Sequence, residues 1–311
     1  MNISFFNAEK VITQHIADAD FCSYFVGFDT NDQNVMKYRW KPFINLLTNV
    51  IPEFAFGSCE KLPENEIPTK LAEAAKSIYK IDAFNEVKSL YENGNIIDDD
   101  HIHKQYLSRG EFGELILHLL LRDFHNSLPL LSKIYFKDSN GVPAHGFDAV
   151  HIVPDTKTLW LGESKLYNDG KKGVGALIKD IKNHIKNDYL QSEFILISKK
   201  IKLFKNIPIK DHWMNLLHNN TKLETILDSV TIPLLCTYTS KNFTNYNDEE
   251  SKFIEDYEKE VRELNEYFKD SNDHPLKTKL NIILLLFPVQ SKDELIKKMH
   301  KKLSILQSID E

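Results

Sequence analysis

The sequence is poor in cysteine and in long apolar runs. Its three cysteines, Cys22, Cys59 and Cys236, lie too far apart for a zinc site and are too few for a disulfide framework. The longest apolar run, 282–289, is too short to cross a bilayer, and the first residues lack the charged and apolar blocks of an export signal. We therefore expect buried free thiols and a cytoplasmic protein with no membrane partner.

Histidine and glycine also lack the arrangements of known sites. Six histidines lie around the central apolar segments: His101, His103, His118, His125, His145 and His151. No two of them have a spacing that adds a third ligand for tetrahedral zinc, and His151 in an apolar strand is expected to be a packed residue. The glycine-rich stretch 170–175 lacks the Gly-Lys-Ser/Thr ending of a phosphate loop, so we expect no nucleotide site there.

What the sequence does have is an ordinary globular composition with one basic stretch. The 311 residues are 42% hydrophobic and 27% charged, with a net charge of −6. Between residues 171 and 210, ten lysines stand against three acidic residues, a balance of +7, so the rest of the chain carries −13. An acidic chain does not coat nucleic acid over its whole surface, although Lys179 and Lys182 in this stretch could contact phosphates. A solvated helix face is the alternative interpretation.

Hydrophobic periodicity predicts an α/β protein with a central mixed β-sheet flanked by helices. We expect strands at 21–28, 232–239 and 281–289, and helices at 40–50, 70–91, 251–268 and 293–306. Turn residues and an acidic run at 93–100 indicate a division of the chain. The predicted parts are an N-terminal accessory α/β region, 1–104, and a core with a C-terminal α/β extension, 105–311.

The central part of the chain alternates between helix and strand patterns. A helix with Ser108 as its N-cap is expected to carry Glu111 and Glu114 in its first turn. Three strands are expected next, at 131–137, 146–153 and 158–167. The short, turn-like stretches between them favour an antiparallel meander. A helix at 173–190 and a parallel strand at 193–198 are predicted to follow.

Charged residues interrupt the apolar strands of this central part at Asp148, Glu163 and Lys165. Residues two apart in a strand share a face, so Glu163 and Lys165 should point together, while Ser164 should pack on the opposite face and be dispensable. A hairpin would bring Asp148 beside Glu163, and two buried carboxylates repel each other unless a cation lies between them. Mg²⁺ accepts such oxygen ligands, and Lys165 could then polarise a water or offset charge on a phosphate during phosphodiester hydrolysis. The alternative is an exposed salt bridge between Glu163 and Lys165, with little energetic consequence.

The order of these elements resembles the PD-(D/E)xK nuclease superfamily. An acidic helix comes first, then Asp148, then Glu163-Ser164-Lys165, then another helix, with Gly146-Phe147-Asp148 in place of the Pro-Asp half of the motif. With the stretches 109–114 and 284–289, most of the chain also resembles the HamA family, the nuclease subunits of the Hachiman anti-phage defence system.

This resemblance implies a restriction-endonuclease-like core and a largely sequence-nonspecific DNase that depends on Mg²⁺, for which Mn²⁺ could substitute. By position, Asp148 and Glu163 would bind the metal, Lys165 would be the catalytic lysine, and Glu114 would be the helix acid and a further ligand. Glu111, one turn away, could take the place of Glu114.

The resemblance also implies partners. It points to DNA as the substrate, with Lys179 and Lys182 as candidate phosphate contacts, and to a complex with a superfamily 2 helicase, HamB. A catalytically inactive adaptor that binds and regulates a helicase through the basic stretch 171–210 is the alternative function.

Overall fold

The computed structural model describes residues 5–30, 34–57, 66–81, 107–131, 146–203, 207–218 and 220–310. Within these ranges the chain forms strands β1 (Ile12–Ala17), β2 (Phe21–Val26), β3 (Phe28–Thr30), β4 (Met36–Tyr38), β5 (Leu128–Leu131), β6 (Ala149–Val153), β7 (Thr158–Tyr167), β8 (Val230–Thr239) and β9 (Asn281–Val289). All except the β3–β4 hairpin join one seven-stranded mixed sheet in the order β1-β2-β9-β8-β7-β6-β5. The predicted fold class, an α/β protein with a central mixed sheet and flanking helices, is confirmed.

The described helices with α geometry are α1 (Trp40–Phe56), α2 (Ile67–Ile78), α3 (Glu111–Asp123), α4 (Gly170–His184), α5 (Asn187–Leu203), α6 (Lys210–Leu216), α7 (Leu223–Leu227), α8 (Asn242–Asn245), α9 (Ser251–Ser271) and α10 (Lys292–Gln307). Among them, α4 has a side-chain N-cap, since Asp169 Oδ1 accepts a hydrogen bond from the Lys172 amide at 2.8 Å.

The strands change direction in the middle of the sheet. β5, β6 and β7 form an antiparallel meander, as predicted, whereas β7, β8, β9 and β2 run parallel to one another. The parallel strands β8 and β9 are apolar almost throughout and buried, as expected for strands that are covered on both faces.

Helices cover both faces of the sheet around β7. On one face α3 lies so close that a Cβ on Gly162 would come 2.9 Å from Leu117, and α1 reaches the same side through the Phe43–Phe287 ring contact at 5.5 Å. On the other face α4 approaches β8 closely, since a Cβ on Gly173 would lie 2.4 Å from Cys236 Sγ. β7 is therefore a central strand between two helical layers.

A buried series of side-chain hydrogen bonds connects α1, α3 and β6 on the face of the sheet that α3 covers. Ser127 Oγ lies 2.8 Å from His151 Nδ1, His151 Nε2 lies 3.2 Å from His118 Nδ1, and His118 Nε2 lies 3.1 Å from Glu53 Oε1. Arg122 donates to both carboxylate oxygens of Glu53. The Ser127 hydroxyl also donates to the Leu121 carbonyl at 2.8 Å. Burial lowers the pKa of both histidines. The prediction that His151 is a packed residue is confirmed.

The prediction of a strand at 193–198 is wrong, because these residues belong to helix α5. A short apolar run does not distinguish a buried strand from a buried helix. The buried residues Leu190, Phe194, Ile197 and Ile201 follow helical spacing, with Ile195 exposed between them. The predicted single helix 173–190 is accordingly two helices, α4 and α5.

Two smaller predictions also change. Ser108 is not the N-cap of the acidic helix, since α3 begins at Glu111 after Gly110 and has no side-chain cap. The first strand of the meander, β5, ends at Leu131, where the predicted strand 131–137 begins, and 132–137 lie outside the described residues.

The predicted boundary between 104 and 105 lies outside the described residues and remains a prediction. Residues from both predicted parts share one sheet, because β2 pairs with β9. Cys22 and Cys236 are free and buried, as predicted, and Cys59 lies outside the described ranges. Among the described helices, none has the length and apolar character needed to cross a membrane.

Candidate active site

The candidate site lies where β6 and β7 separate. Their pairing ends at Ala149 and Gly162, while β7 continues beside β8 as far as Tyr167. Asp148, the residue before β6, then takes the place of a strand partner, since its Oδ2 accepts hydrogen bonds from the Ser164 amide at 2.8 Å and the Ser164 hydroxyl at 3.0 Å. These two bonds fix Asp148 beside the Glu163-Ser164-Lys165 segment, as the hairpin argument predicted.

Ser164 has a different role from the one predicted. It does lie on the face opposite Glu163 and Lys165, because a Cβ on Gly113 of α3 would come 3.4 Å from its hydroxyl. The hydroxyl nevertheless binds Asp148, so Ser164 is more than a packing residue. Strand alternation fixes the direction of a side chain but does not say which polar group crosses the gap between two separating strands.

Glu163 is the most deeply buried acid of the site. It is 4% exposed, and its Oε1 lies 2.6 Å from His184 Nδ1 on α4. The pKa of Glu163 is raised to about 7, chiefly by burial; the His184 hydrogen bond lowers it and the nearby charge of Asp148 raises it. This burial excludes the alternative of an exposed salt bridge on the strand.

Lys165 shares the face of Glu163, as predicted, but its ion pair is made with Asp180 of α4. Its side chain is 25% exposed and that of Asp180 is 19% exposed. Burial lowers the pKa of Lys165, whereas the bond to Asp180 and the charges of Asp148 and Glu163 raise it, with a net rise above its ordinary value. Lys165 is therefore a cation held among carboxylates at neutral pH.

Asp180 and His184 were missed as site residues by the sequence reasoning. They lie four residues apart on α4, and the buried Leu177 and Ile181 belong to the same side of this helix. Their positions, four residues apart on the apolar side of an amphipathic helix, were the feature of the sequence that could have identified them.

The two helix acids differ in their partners. Glu111 Oε1 forms a 2.7 Å ion pair with Arg109, whose guanidinium lies 4.6 Å from the ring centre of Tyr79. Glu114 is half-buried and adjoins Gly113, the residue of α3 that approaches Ser164. The choice of Glu114 over Glu111 as the helix acid remains a prediction.

The candidate phosphate contacts, Lys179 and Lys182, are both exposed on α4. Lys182 Nζ lies 2.6 Å from Asp273 Oδ1 in a pair that is exposed to solvent. Successive side chains of a helix point about 100° apart. Lys179 is one residue and Lys182 two residues from Asp180, so neither lysine shares its face. They are accessible to a ligand on the outer side of the helix.

The donor set fits a magnesium site with few protein ligands. The described residues contain no group of three or more His, Cys, Asp and Glu side chains that could hold a metal ion. Mg²⁺ is often bound by one or two carboxylates and completes its octahedron with waters and substrate phosphates. Asp148 lies close enough for its charge to raise the pKa of Glu163, and two carboxylates placed in this way suit this mode of binding.

Comparison with known proteins gives one family. The family model described as HamA matches residues 3–303, nearly the whole chain. No curated protein matches the chain.

Proposed function

This chain belongs to the HamA family, and from that premise we propose that it is a Mg²⁺-dependent, largely sequence-nonspecific deoxyribonuclease with a PD-(D/E)xK core. Membership of the family supports a role in anti-phage defence, in a system that has partner components. The proposed partner is a superfamily 2 helicase, HamB, and the proposed substrate is DNA.

The observation that carries the proposal is the place of Glu163. A carboxylate that is 4% exposed, close to Asp148 and with its pKa raised to about 7, is unfavourable in a purely structural role. Strongly shifted pKa values are concentrated at functional sites. Lys165, on the same face, supplies the cation that phosphodiester hydrolysis also needs.

Each residue has a proposed task. A bound Mg²⁺ would neutralise charge on the scissile phosphate and lower the pKa of a water. Asp148 and Glu163 would hold this ion from two neighbouring strands, and Glu114 is proposed to contribute through a water rather than directly, since it forms no three-residue metal-binding group with them among the described residues. Lys165 would exchange its bond with Asp180 for one to the attacking water or to a phosphate oxygen, where its charge stabilises the transition state.

A defence assay separates this proposal from an inactive adaptor. Cells carrying the complete system with Glu163→Ala and Lys165→Ala together should lose protection against phage, because the adaptor surface is unchanged while the site is removed. The Lys301→Ala variant on the exposed part of α10 is the matched control and should protect normally. Full protection by the double variant would favour the adaptor.

A further inference from the structure

Two residues of α4 contact the two charged residues of β7 in reverse sequence order. His184 Nδ1 lies 2.6 Å from Glu163 Oε1, and Asp180 forms an ion pair with Lys165. Residues four apart in a helix are about 6 Å apart along its axis, and residues two apart in a strand are about 6.6 Å apart. Because these spacings agree, one side of α4 holds both strand side chains at once.

The ring of His184 is itself held in place. It stacks on Tyr189 with the ring centres 4.6 Å apart and the planes 5° apart, and it meets the Phe147 ring nearly edge-on at 6.2 Å. Phe147 is 2% exposed and directly precedes Asp148. The imidazole therefore connects Glu163 to the segment that carries the other strand carboxylate.

We propose that His184 is a positioning residue that orients Glu163 for binding of a divalent cation, while Asp180 orients Lys165 in the same way. This inference rests on the function proposed above. A carboxylate that binds a metal is usually hydrogen-bonded in turn, and loss of such a bond weakens metal binding roughly 10–100-fold. His184 never touches the substrate in this account and acts only through Glu163.

Two substitutions separate the hydrogen bond from the packing of the ring. His184→Asn keeps an N–H donor close to the position of Nδ1 but removes the ring. His184→Phe keeps a ring that can stack on Tyr189 but removes the donor. Asn183→Ala, an exposed neighbour on the same helix, is the control.

Mn²⁺ affinity of the full chain, measured by titration calorimetry, is the first readout, and plasmid cleavage is the second. Circular dichroism identifies any variant that has lost its fold. We expect His184→Phe to weaken Mn²⁺ binding roughly 10–100-fold, with His184→Asn and Asn183→Ala close to wild type. The loss in cleavage should follow the loss in affinity.

The outcomes distinguish this inference from the proposed function. If wild type binds Mn²⁺ and cleaves DNA but His184→Phe does the same, the positioning role is overturned and the nuclease stands. If His184→Asn is as weak as His184→Phe or weaker, ring packing rather than the hydrogen bond matters, and the role is overturned as well. If wild type binds no Mn²⁺, both the function and the inference fail.

Discussion

At the scale of single residues, Ser164 connects the two strand carboxylates of the candidate site. Its amide and hydroxyl both donate to Asp148, while its neighbour Glu163 faces the other side of the strand. Ser164→Ala removes the hydroxyl bond, worth about 1 kcal/mol, and leaves the amide bond in place. We expect roughly a five- to tenfold loss of DNA cleavage with an unchanged fold.

Rates of plasmid cleavage measured beside circular dichroism check this prediction. Ser192→Ala serves as the control, because the Ser192 hydroxyl donates to the Asp188 carbonyl on the exposed side of α5. Equal rates for wild type and Ser164→Ala would mean that Ser164 is dispensable, as sequence alternation alone suggests.

The buried His151 predicts a pH dependence of stability. Burial lowers the pKa of His151 well below 6.5, and the neighbouring His118 and Arg122 lower it further. Below pH 6.5 the unfolded chain therefore takes up a proton at this position that the folded protein does not bind. The free energy of unfolding should fall with decreasing pH, with a contribution of up to about 1.4 kcal/mol per pH unit from this residue.

Urea unfolding between pH 7 and 5 measures this effect. His151→Gln should show a shallower decline in the free energy of unfolding than wild type. Parallel curves for wild type and His151→Gln would contradict a neutral buried imidazole at this position.

At the scale of single residues, the sequence predicts which site residues come together when they belong to one strand or one hairpin. Glu163 and Lys165 are two apart in one strand, and Asp148 is one hairpin away, so alternation and a short connection bring them together. Asp180 and His184 could not be predicted as their partners, because the contact depends on where α4 crosses β7. That crossing is fixed by tertiary packing rather than by local sequence.

At the scale of elements, Gly173 decides how closely α4 approaches the sheet. A Cβ at this position would lie 2.4 Å from the Sγ of the fully buried Cys236, so Gly173→Ala must displace the helix or the thiol. We expect a loss of about 1–3 kcal/mol in the free energy of unfolding. Because Asp180 and His184 are on this helix, DNA cleavage should fall as well.

Gly175→Ala is the matched control and should increase the free energy of unfolding. Its Cβ would meet the Tyr267 hydroxyl at 3.3 Å, the far end of a flexible side chain, and alanine favours a helix by about 0.5–1 kcal/mol over glycine. Adding Cys236→Ala to Gly173→Ala should restore part of the loss. Urea unfolding tests all three, and a neutral Gly173→Ala would contradict the close approach.

Elements with strong periodicity are the ones that the sequence predicts well. β9 and the long amphipathic helix α9 agree with expectation to within a few residues. The stretch 193–198 does not, because Phe194-Ile195-Leu196-Ile197 is apolar enough for a strand while Leu190, Phe194 and Ile197 together follow a helix. A window that included 190 and 201 would have favoured the helix.

At the scale of the whole molecule, an acidic chain with a basic helical surface predicts weak, salt-dependent DNA binding. Lys179 and Lys182 are exposed on α4, and Lys182 must exchange Asp273 for a phosphate. The affinity of the isolated chain for duplex DNA should fall steeply with salt, and each Lys→Ala change should reduce the slope of log K against log salt by about 1. Lys301→Ala should leave the slope unchanged, and tight binding at high salt would contradict this view.

The sequence predicts the fold class of the whole molecule but not which strands pair with each other. Alternating helix and strand patterns predict a mixed sheet, whereas the pairing of β2 with β9 joins residues more than 250 positions apart. Both strands are apolar and buried, so their patterns fit several neighbours equally well. Only the packed sheet shows that the N-terminal strands complete the layer that holds the candidate site.

The most direct test of the central claim is DNA cleavage by purified protein, alone and with the proposed helicase partner, in the presence of Mg²⁺. Wild type with its partner should degrade plasmid DNA, and Glu163→Gln or Lys165→Ala should reduce the rate at least about 100-fold without loss of the complex, as expected for groups that stabilise the transition state. Chelation of the metal should have the same effect. Cleavage by either variant at the wild-type rate, or none by wild type with Mg²⁺ or Mn²⁺, would contradict the account.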